Sequence, residues 1–292
     1  MRVSATSGRT TGAPGRVICV AVAAAGVLLT TEVARRVPSL SGTAWTRNNH
    51  RGASVSLVAG PAAAVTASIV AAAAVPERMR ASALLLGLGS GAVGLYDDIV
   101  GARPDQHRDK GFGGHLRALR SGRVSTGALK VVGMVGASMI AAGSVSAGPV
   151  DRIVAAGVMA GTANLINLLD LRPGRAAKVT ALGGLATLVG PAAGASAAVL
   201  GTSLGVLPAD LGEKVMLGDA GANALGALLG YRLAAGCGPL QRRGILAVLV
   251  ALTAASEKVS FTRVIEATPA LRDLDRWGRL TVERPPSSPQ MS

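Results

Sequence analysis

The chain has 292 residues, with 30 Lys and Arg against 16 Asp and Glu, so its formal net charge is +14. That charge alone is typical of a nucleic-acid-binding protein, but 49% of the residues are hydrophobic, only 16% are charged and 2% are aromatic. This composition excludes a disordered chain, argues against a nucleic-acid partner, and predicts a membrane protein whose basic residues lie in loops.

Nine apolar segments are candidates for membrane-spanning helices. In chain order they are 17–34, 54–75, 81–96, 126–147, 152–169, 177–190, 191–207, 220–236 and 244–260. Only Gly190-Pro191 separates the sixth from the seventh, so that pair is also compatible with one bent element. The predicted fold class is an all-α, polytopic membrane helical bundle, with an N-terminal tail (1–16), a transmembrane domain (17–260) and a C-terminal tail (261–292).

The basic loops predict the orientation in the plasma membrane. Three connections are rich in Arg and Lys, around residues 35–51, 103–123 and 172–178, and they alternate with poor ones. By the positive-inside rule the rich loops and the C-terminal tail are cytoplasmic and the N-terminus lies outside. Arginines at both predicted outer positions, in the first 16 residues and at Arg242-Arg243, fit this orientation poorly. Residues 1–34 also resemble a cleaved signal peptide, although the many spans that follow favour a retained helix.

Small residues recur at helical spacing in these segments. The Gly-xxx-Gly pairs are Gly87/Gly91, Gly157/Gly161, Gly201/Gly205 and Gly226/Gly230. Such pairs let helix backbones approach closely, so they predict helix packing without indicating any chemistry.

A first polar cluster, Asp97-Asp98, closes the third segment at its predicted cytoplasmic end. Two adjacent carboxylates near a membrane surface repel one another unless a cation joins them, and oxygen ligands of this kind suit Mg²⁺. The competing interpretation is a pair of solvated carboxylates at a helix end.

A second cluster, Asn164, Asn167 and Asp170, recurs every three residues and forms one stripe on the fifth segment. Amides and a carboxylate facing lipid would be costly, so the stripe should face the bundle interior or a water-filled cavity. Hydrogen bonds between helices are the alternative role for these side chains.

A third cluster, Gly218-Asp219-Ala220-Gly221, directly precedes an apolar helix. Asp219 lies near the helix N-terminus, where backbone N–H groups favour anions, so it is a candidate metal ligand or a plain N-cap. All three clusters fall on the same predicted membrane face. Between the first two lies a basic, Gly-rich loop in which Lys110 and His115 are candidate substrate-binding residues, unless the loop is simply a positive-inside loop without a ligand.

Together these motifs resemble the polyprenyl-phosphate N-acetylhexosamine-1-phosphate transferases, a family that includes phospho-N-acetylmuramoyl-pentapeptide transferase. Its paired aspartates match Asp97-Asp98, its Asn-x-x-Asn-x-x-Asp motif matches Asn164, Asn167 and Asp170, its Gly-Asp-x-Gly motif matches Gly218 to Gly221, and its Lys-Gly resembles Lys110-Gly111. The resemblance covers roughly residues 15–260. It implies Mg²⁺-dependent transfer of a sugar 1-phosphate from a nucleotide sugar to a polyprenyl phosphate, with release of UMP, in envelope glycan synthesis.

The resemblance also assigns roles to residues of this chain. Asp219 and Asp98 would bind the metal, and Asp97 would deprotonate or orient the lipid phosphate. Asn167 and Asp170 would order the diphosphate and its metal, Lys110 would neutralise phosphate charge, and Asn164 is a further candidate substrate-binding residue. The chain departs from the family after Asp170, where Arg172 and Arg175 stand in place of a second Asp and are candidate phosphate ligands. The family's His-rich motif near the ninth helix is missing.

These departures leave other functions open. A non-catalytic relative that binds polyprenyl phosphate, or that acts as a scaffold for envelope-synthesis proteins, fits the altered motifs. A transporter is the third interpretation, but the polar clusters lie at one face and no internal repeat is evident. The implied partners are the nucleotide sugar, the polyprenyl phosphate, the bilayer and, as an open alternative, a second copy in a homodimer.

Overall fold

The computed structural model describes residues 12–101 and 126–280, which form eleven α-helices and one β-hairpin. The helices are α1 (Ala13–Arg35), α2 (Ala59–Ala74), α3 (Glu77–Tyr96), α4 (Thr126–Ala142), α5 (Pro149–Leu169), α6 (Arg175–Ala186), α7 (Ala193–Leu211), α8 (Gly218–Gly236), α9 (Pro239–Ser256), α10 (Phe261–Ala267) and α11 (Pro269–Arg276). A π-helical turn, Asp97–Gly101, continues α3.

Several of these helices suit a membrane. Four of them are long and apolar enough to cross it: α1, α3 with its π-helical turn, α5 and α7. Helices α9 and α10 together give a fifth candidate, broken by a 95° bend, whereas α2 and α4 are shorter apolar helices. Large apolar side chains such as Val17, Leu29 and Val132 are exposed, as lipid-facing residues of a membrane protein are. The chain is therefore an all-α membrane protein, as its composition predicts.

Each of the nine predicted apolar segments overlaps one helix, α1 to α9. Gly190-Pro191 separates two distinct helices, α6 and α7, and Gly190 there has a φ of +101°. The prediction for 54–75 is wrong at its first residues, because Ser54–Ser56 pairs as strand β2 with β1 (Thr46–Asn48). The hairpin packs against the α7–α8 loop through backbone hydrogen bonds. The Ser56 N–H donates to the Lys214 carbonyl, and the Met216 N–H donates to the Ser56 carbonyl.

Helix α8 lies at the centre of the bundle and packs against α2, α3, α5 and α7. Its close approach to α5 depends on Gly226 and Gly230, since a Cβ there would lie 2.7 Å from the Cα atoms of Ala163 and Met159. The other predicted pairs also mark close contacts: Gly87 and Gly91 with α2, Gly201 and Gly205 with α1, and Gly157 and Gly161 with α9. The glycine pattern thus predicted real packing surfaces.

The C-terminal residues fold back onto the start of α6. Arg175 donates from Nε and one terminal nitrogen to the two carboxylate oxygens of Asp275, at 2.8 and 3.0 Å. The Lys178 ammonium donates to the backbone carbonyls of Leu274, Asp275 and Trp277. Arg279 contacts the same Asp275 carboxylate. We call Asp275, Arg175, Lys178 and Arg279 the clasp.

Candidate functional site

The three polar clusters meet at one end of the bundle, which we call the site end. Helices α3, α5 and α7 finish there and α8 begins there, so Asp98, Asp170 and Asp219 come from three separate chain segments. The hairpin and the α7–α8 loop complete this end. The alternation of helix directions explains the convergence, because clusters at alternate helix ends share one face.

Asp98 caps α8. Its Oδ1 and Oδ2 accept the backbone N–H groups of Asp219 and Ala220, at 3.1 and 3.0 Å. The contact requires Gly94 on α3, because a Cβ there would lie 2.3 Å from the Asp219 carbonyl oxygen. It also requires Gly218, whose φ is +57° and whose Cβ would lie 3.0 Å from Asp98. The carboxylate thus binds free N–H groups of the first turn of α8, and Asp219 itself is not the N-cap.

Asp219 instead directs its side chain to Lys130 on α4. The Lys130 ammonium donates to Asp97 Oδ2 at 3.1 Å and makes a very short contact with Asp219 Oδ2. The three side chains are only 22–24% exposed. Asp97 and Asp219, from α3 and α8, therefore meet around one cation.

Asp170 lies beside this group, at the C-terminal end of α5. Its Oδ2 is buried without a hydrogen-bond partner. Burial raises the pKa of Asp170 well above its usual value, and the nearby carboxylates of Asp210, Asp219 and Asp98 raise it further. Asp210, only 3% exposed, also keeps one carboxylate oxygen without a partner. Two buried carboxylates at the site end, Asp170 and Asp210, thus each keep an oxygen without a hydrogen-bond partner.

A cavity of about 450 Å³ opens at this end, between the hairpin, the end of α3, the α5–α6 loop and the α7–α8 loop. Its acidic lining residues are Asp98, Asp170, Asp210 and Glu213, and its basic lining residues are Arg47, His50 and Arg172. Arg47 also donates to the backbone carbonyl of Asp98. Burial lowers the pKa of His50, and Arg172 and Arg51 lower it further, so this imidazole is neutral near pH 7.

A second cavity, about 440 Å³ and mainly apolar, lies between α4, α5, α8 and α9. Its polar lining residues are Lys130, Asn164, Asn223 and Thr253. Its apolar lining residues include Val131, Met134, Leu246, Leu249 and Val250. Lys130 lines this cavity and Asp98 lines the first, and Asp219 contacts both of these residues.

The predicted site residues divide into four groups, of which Arg175 alone forms the last. The structure brings together Asp97, Asp98, Asp170 and Asp219, and it places Arg172 in the lining of the first cavity. Asn164 donates to Thr253 and Asn167 to Asn223, both at 3.2 Å, so these amides make the interhelical hydrogen bonds that were the alternative interpretation. Lys110 and His115 lie outside the described residues.

Arg175 is not brought to the cavity. It is 3% exposed, and its hydrogen bonds go to Asp275 and Thr262. The prediction that Arg175 binds substrate gives way to a structural role. The carboxylate that neutralises it belongs to Asp275, which lies 100 residues further along the chain.

Sequence reasoning missed Lys130, Arg47 and His50. Lys130 offered a signal, since a charged residue inside a predicted membrane span is by itself a functional indication. Arg47 and His50 offered none beyond their place in a basic loop, because only the hairpin brings them into the lining of the cavity beside Asp98 and Asp170.

The side chains do not form a ready metal site. Within residues 12–101 and 126–280, no three His, Cys, Asp or Glu side chains are grouped so that they could hold a metal ion. The carboxylate oxygens of Asp97 and Asp219 suit Mg²⁺ in chemistry, but they contact the Lys130 ammonium, and both oxygens of Asp98 already accept N–H groups.

Searches of protein-family models and of curated proteins find no match to this sequence.

Proposed function

We propose that this protein transfers a sugar 1-phosphate from a nucleotide sugar, such as a UDP-sugar, to a polyprenyl phosphate, and releases UMP. The main supporting observation is the meeting of Asp97 and Asp219 on one cation, with Asp98 and Asp170 beside them, between a polar and an apolar cavity. Phosphoryl transfer depends on positioning and charge neutralisation, which such a cluster of charged side chains at one end of the bundle offers.

In this proposal the polar cavity binds the donor. Arg47 and Arg172 line it and neutralise the diphosphate, and neutral His50 serves as a hydrogen-bond partner of the nucleotide or the sugar. The aspartates on the opposite side repel a misplaced phosphate, so they direct the diphosphate toward the arginines.

The apolar cavity binds the acceptor lipid. Val131, Met134, Leu246 and Leu249 line it and contact isoprenoid units, and Lys130 at its polar end faces the lipid phosphate. Asp97 orients that phosphate. An oxygen of the lipid phosphate attacks the sugar-linked phosphorus of the donor and forms a new P–O bond. The P–O bond of the diphosphate breaks, and UMP leaves.

The proposal includes Mg²⁺ only because the carboxylate oxygens of Asp219 and Asp98 are of the kind that Mg²⁺ prefers. The described side chains present no site with three ligands. The membrane arrangement is proposed as well: helices α1 to α9 each span the bilayer, the N-terminus lies outside, and the site end faces the cytoplasm at the plasma membrane. The arginines at the site end, including Arg36, Arg51 and Arg172, support this orientation.

The test is a reconstituted transfer assay. The purified full chain in detergent or liposomes is supplied with polyprenyl phosphate, Mg²⁺ and a panel of UDP-sugars, and UMP release and lipid-linked product are measured. Asp219→Asn should lower turnover by about 1000-fold, because it removes a carboxylate from the reacting centre. Asp273→Asn is the matched control, since Asp273 is 72% exposed on α11 and should keep full activity.

Absence of product with every donor, or full activity of Asp219→Asn, would contradict the enzyme proposal. The second candidate, a non-catalytic binder of polyprenyl phosphate or a scaffold of the same fold, is favoured by one observation: a lysine neutralises the aspartate pair where the family resemblance implies a metal. Saturable binding of polyprenyl phosphate without turnover would support that candidate.

A further inference from the structure

Helix α11 holds its charged face to the bundle and leaves its apolar face exposed. Asp275, on the charged face, is buried and accepts two hydrogen bonds from Arg175 at the start of α6. Leu271 and Leu274, three residues apart on the other face, are each 46% exposed, and Trp277 directly after the helix is 68% exposed. A surface helix of a water-soluble protein shows the opposite arrangement, because its apolar stripe faces the core. The exposed face of α11 therefore calls for an apolar phase or partner.

The same pattern extends back through α10. Val259 and Val264 are exposed there as well. Residues 258–280 also carry five Lys and Arg against three Asp and Glu. Exposed apolar side chains combined with an excess of basic ones are typical of helices that lie in the interface of a membrane, where the apolar groups insert and the cations meet lipid phosphates.

The position of α10 and α11 after α9 favours a bilayer over a protein partner. The exposed side chains of α9 include Val248 and Val250, so its outer surface is apolar. The chain then bends by 95° between α9 and α10. A chain that turns by about a right angle at the end of a membrane-crossing helix runs along the bilayer surface. The apolar face of α11 then continues the lipid-facing surface of the preceding helix.

We propose that residues 258–280, which we call the interfacial anchor, lie on the bilayer surface at the site end, with Leu271, Leu274 and Trp277 inserted at the level of the phospholipid headgroups. The amphipathic ring of tryptophan suits this level. The exposed cations Lys258, Arg263, Arg272 and Arg276 contact the lipid phosphates. The clasp holds the opposite face of α11 to α6 and so keeps the apolar face turned toward the lipid.

The test uses the fluorescence of Trp277 in the full-length protein. Trp45 is the other tryptophan of the chain, so a Trp45→Phe background leaves Trp277 as the only reporter. The protein is reconstituted into phosphatidylcholine vesicles whose acyl chains are unlabelled, brominated near the headgroup or brominated near the chain end, because bromine quenches tryptophan at short range. Bromine near the headgroup should lower the emission about twofold and bromine near the chain end much less, since an interfacial helix lies only about 5–10 Å deep.

A pair of variants separates insertion from mere proximity to the membrane. Leu271→Asn combined with Leu274→Asn should remove at least about half of the quenching by bromine near the headgroup, because it removes apolar groups that hold the helix in the interface. Asp273→Asn is the matched control, since this side chain is 72% exposed on the charged face of the same helix and should leave the quenching unchanged.

Absence of quenching by either bromine position would overturn the proposal. That result is expected if water, a second copy of the chain or another protein covers the apolar face. Stronger quenching from the chain end would also overturn it, because Trp277 would then lie in the hydrocarbon core, and so would full quenching in the double leucine variant. If that variant does not fold, the quenching of the Trp45→Phe protein still decides. The inference rests on the proposed membrane arrangement of α9, but its test needs no transfer, so failure of the transfer assay leaves the result unaffected.

Discussion

Two charged clusters at the site end differ in whether their buried carboxylate oxygens have hydrogen-bond partners. In the clasp, Arg175 and Arg279 contact the carboxylate of Asp275 and Lys178 donates to nearby backbone carbonyls, and no described side-chain atom of the clasp is buried without a partner. In the aspartate cluster, the Lys130 ammonium contacts Asp97 and Asp219, Arg47 donates to the backbone carbonyl of Asp98, and Asp170 keeps an unpartnered oxygen.

The difference separates a structural role from a functional one. Burial raises the pKa of Asp275, but the hydrogen bonds and charges of Arg175, Arg279 and Lys178 outweigh it and hold this pKa below its usual value. The pKa of Asp170 moves the other way, because burial and neighbouring carboxylates act together. Strongly shifted pKa values of buried groups are common at binding and catalytic sites, so the aspartate cluster is the better candidate for chemistry and the clasp for stabilising the fold.

The largest expected effect comes from breaking the clasp. Asp275→Ala leaves Arg175, which is 3% exposed, without the carboxylate that accepts two of its hydrogen bonds. Loss of one partner of a buried ion pair costs about 3 kcal/mol or more. The apparent Tm in detergent, followed by circular dichroism, should fall by roughly 6–12 °C. Asp273→Ala, at a 72% exposed side chain on the same helix, should change it little. An unchanged Tm for Asp275→Ala would show that the clasp does not stabilise the fold.

The clasp should also give the protein an acid-sensitive stability. Because the folded pKa of Asp275 lies below the unfolded value of 3.8, its contribution is present above that value and is lost as the pH falls through the folded pKa. The Tm difference between the wild type and Asp275→Asn should therefore be full at pH 7 and shrink below about pH 4. A difference that is independent of pH would contradict the assigned ion pairs.

The smallest expected effect is a rise in Tm, opposite to the fall expected when the clasp is broken, and it comes from Asp170 in the aspartate cluster. Asp170→Asn removes a carboxylate whose charge is opposed by burial and by its neighbours, while its amide oxygen still accepts the Gly218 N–H. The Tm should rise by roughly 2–4 °C near pH 8, as about 1 kcal/mol would produce.

The pH dependence of this gain provides its control. A group whose folded pKa is raised contributes stability at low pH and loses it as the pH rises through that value. The advantage of Asp170→Asn should therefore shrink toward pH 4, and sugar-phosphate transfer should be lost in the same variant. A lower Tm at pH 8 would mean that the Asp170 carboxylate stabilises the fold.

Much of the fold was predictable from local patterns. Apolar runs predicted a helix in each of the nine segments, and the Gly-xxx-Gly pairs predicted which helix faces approach closely. The hairpin at Thr46–Ser56 escaped prediction, because its strands are only three residues long and depend on the α7–α8 loop for a partner. Short segments of this kind are determined by tertiary pairing more than by local preference.

The sequence by itself determined that this is a helical membrane protein and which aspartates lie at helix ends, because both depend on the order of apolar and polar residues along the chain. Only the tertiary structure decided the partners of those charges. It placed Lys130 between Asp97 and Asp219 and paired Arg175 with Asp275. Ion pairs between residues 33 to 100 positions apart form only when the helices pack. Charge along the sequence therefore predicted where the site lies, and packing decided which cations belong to it.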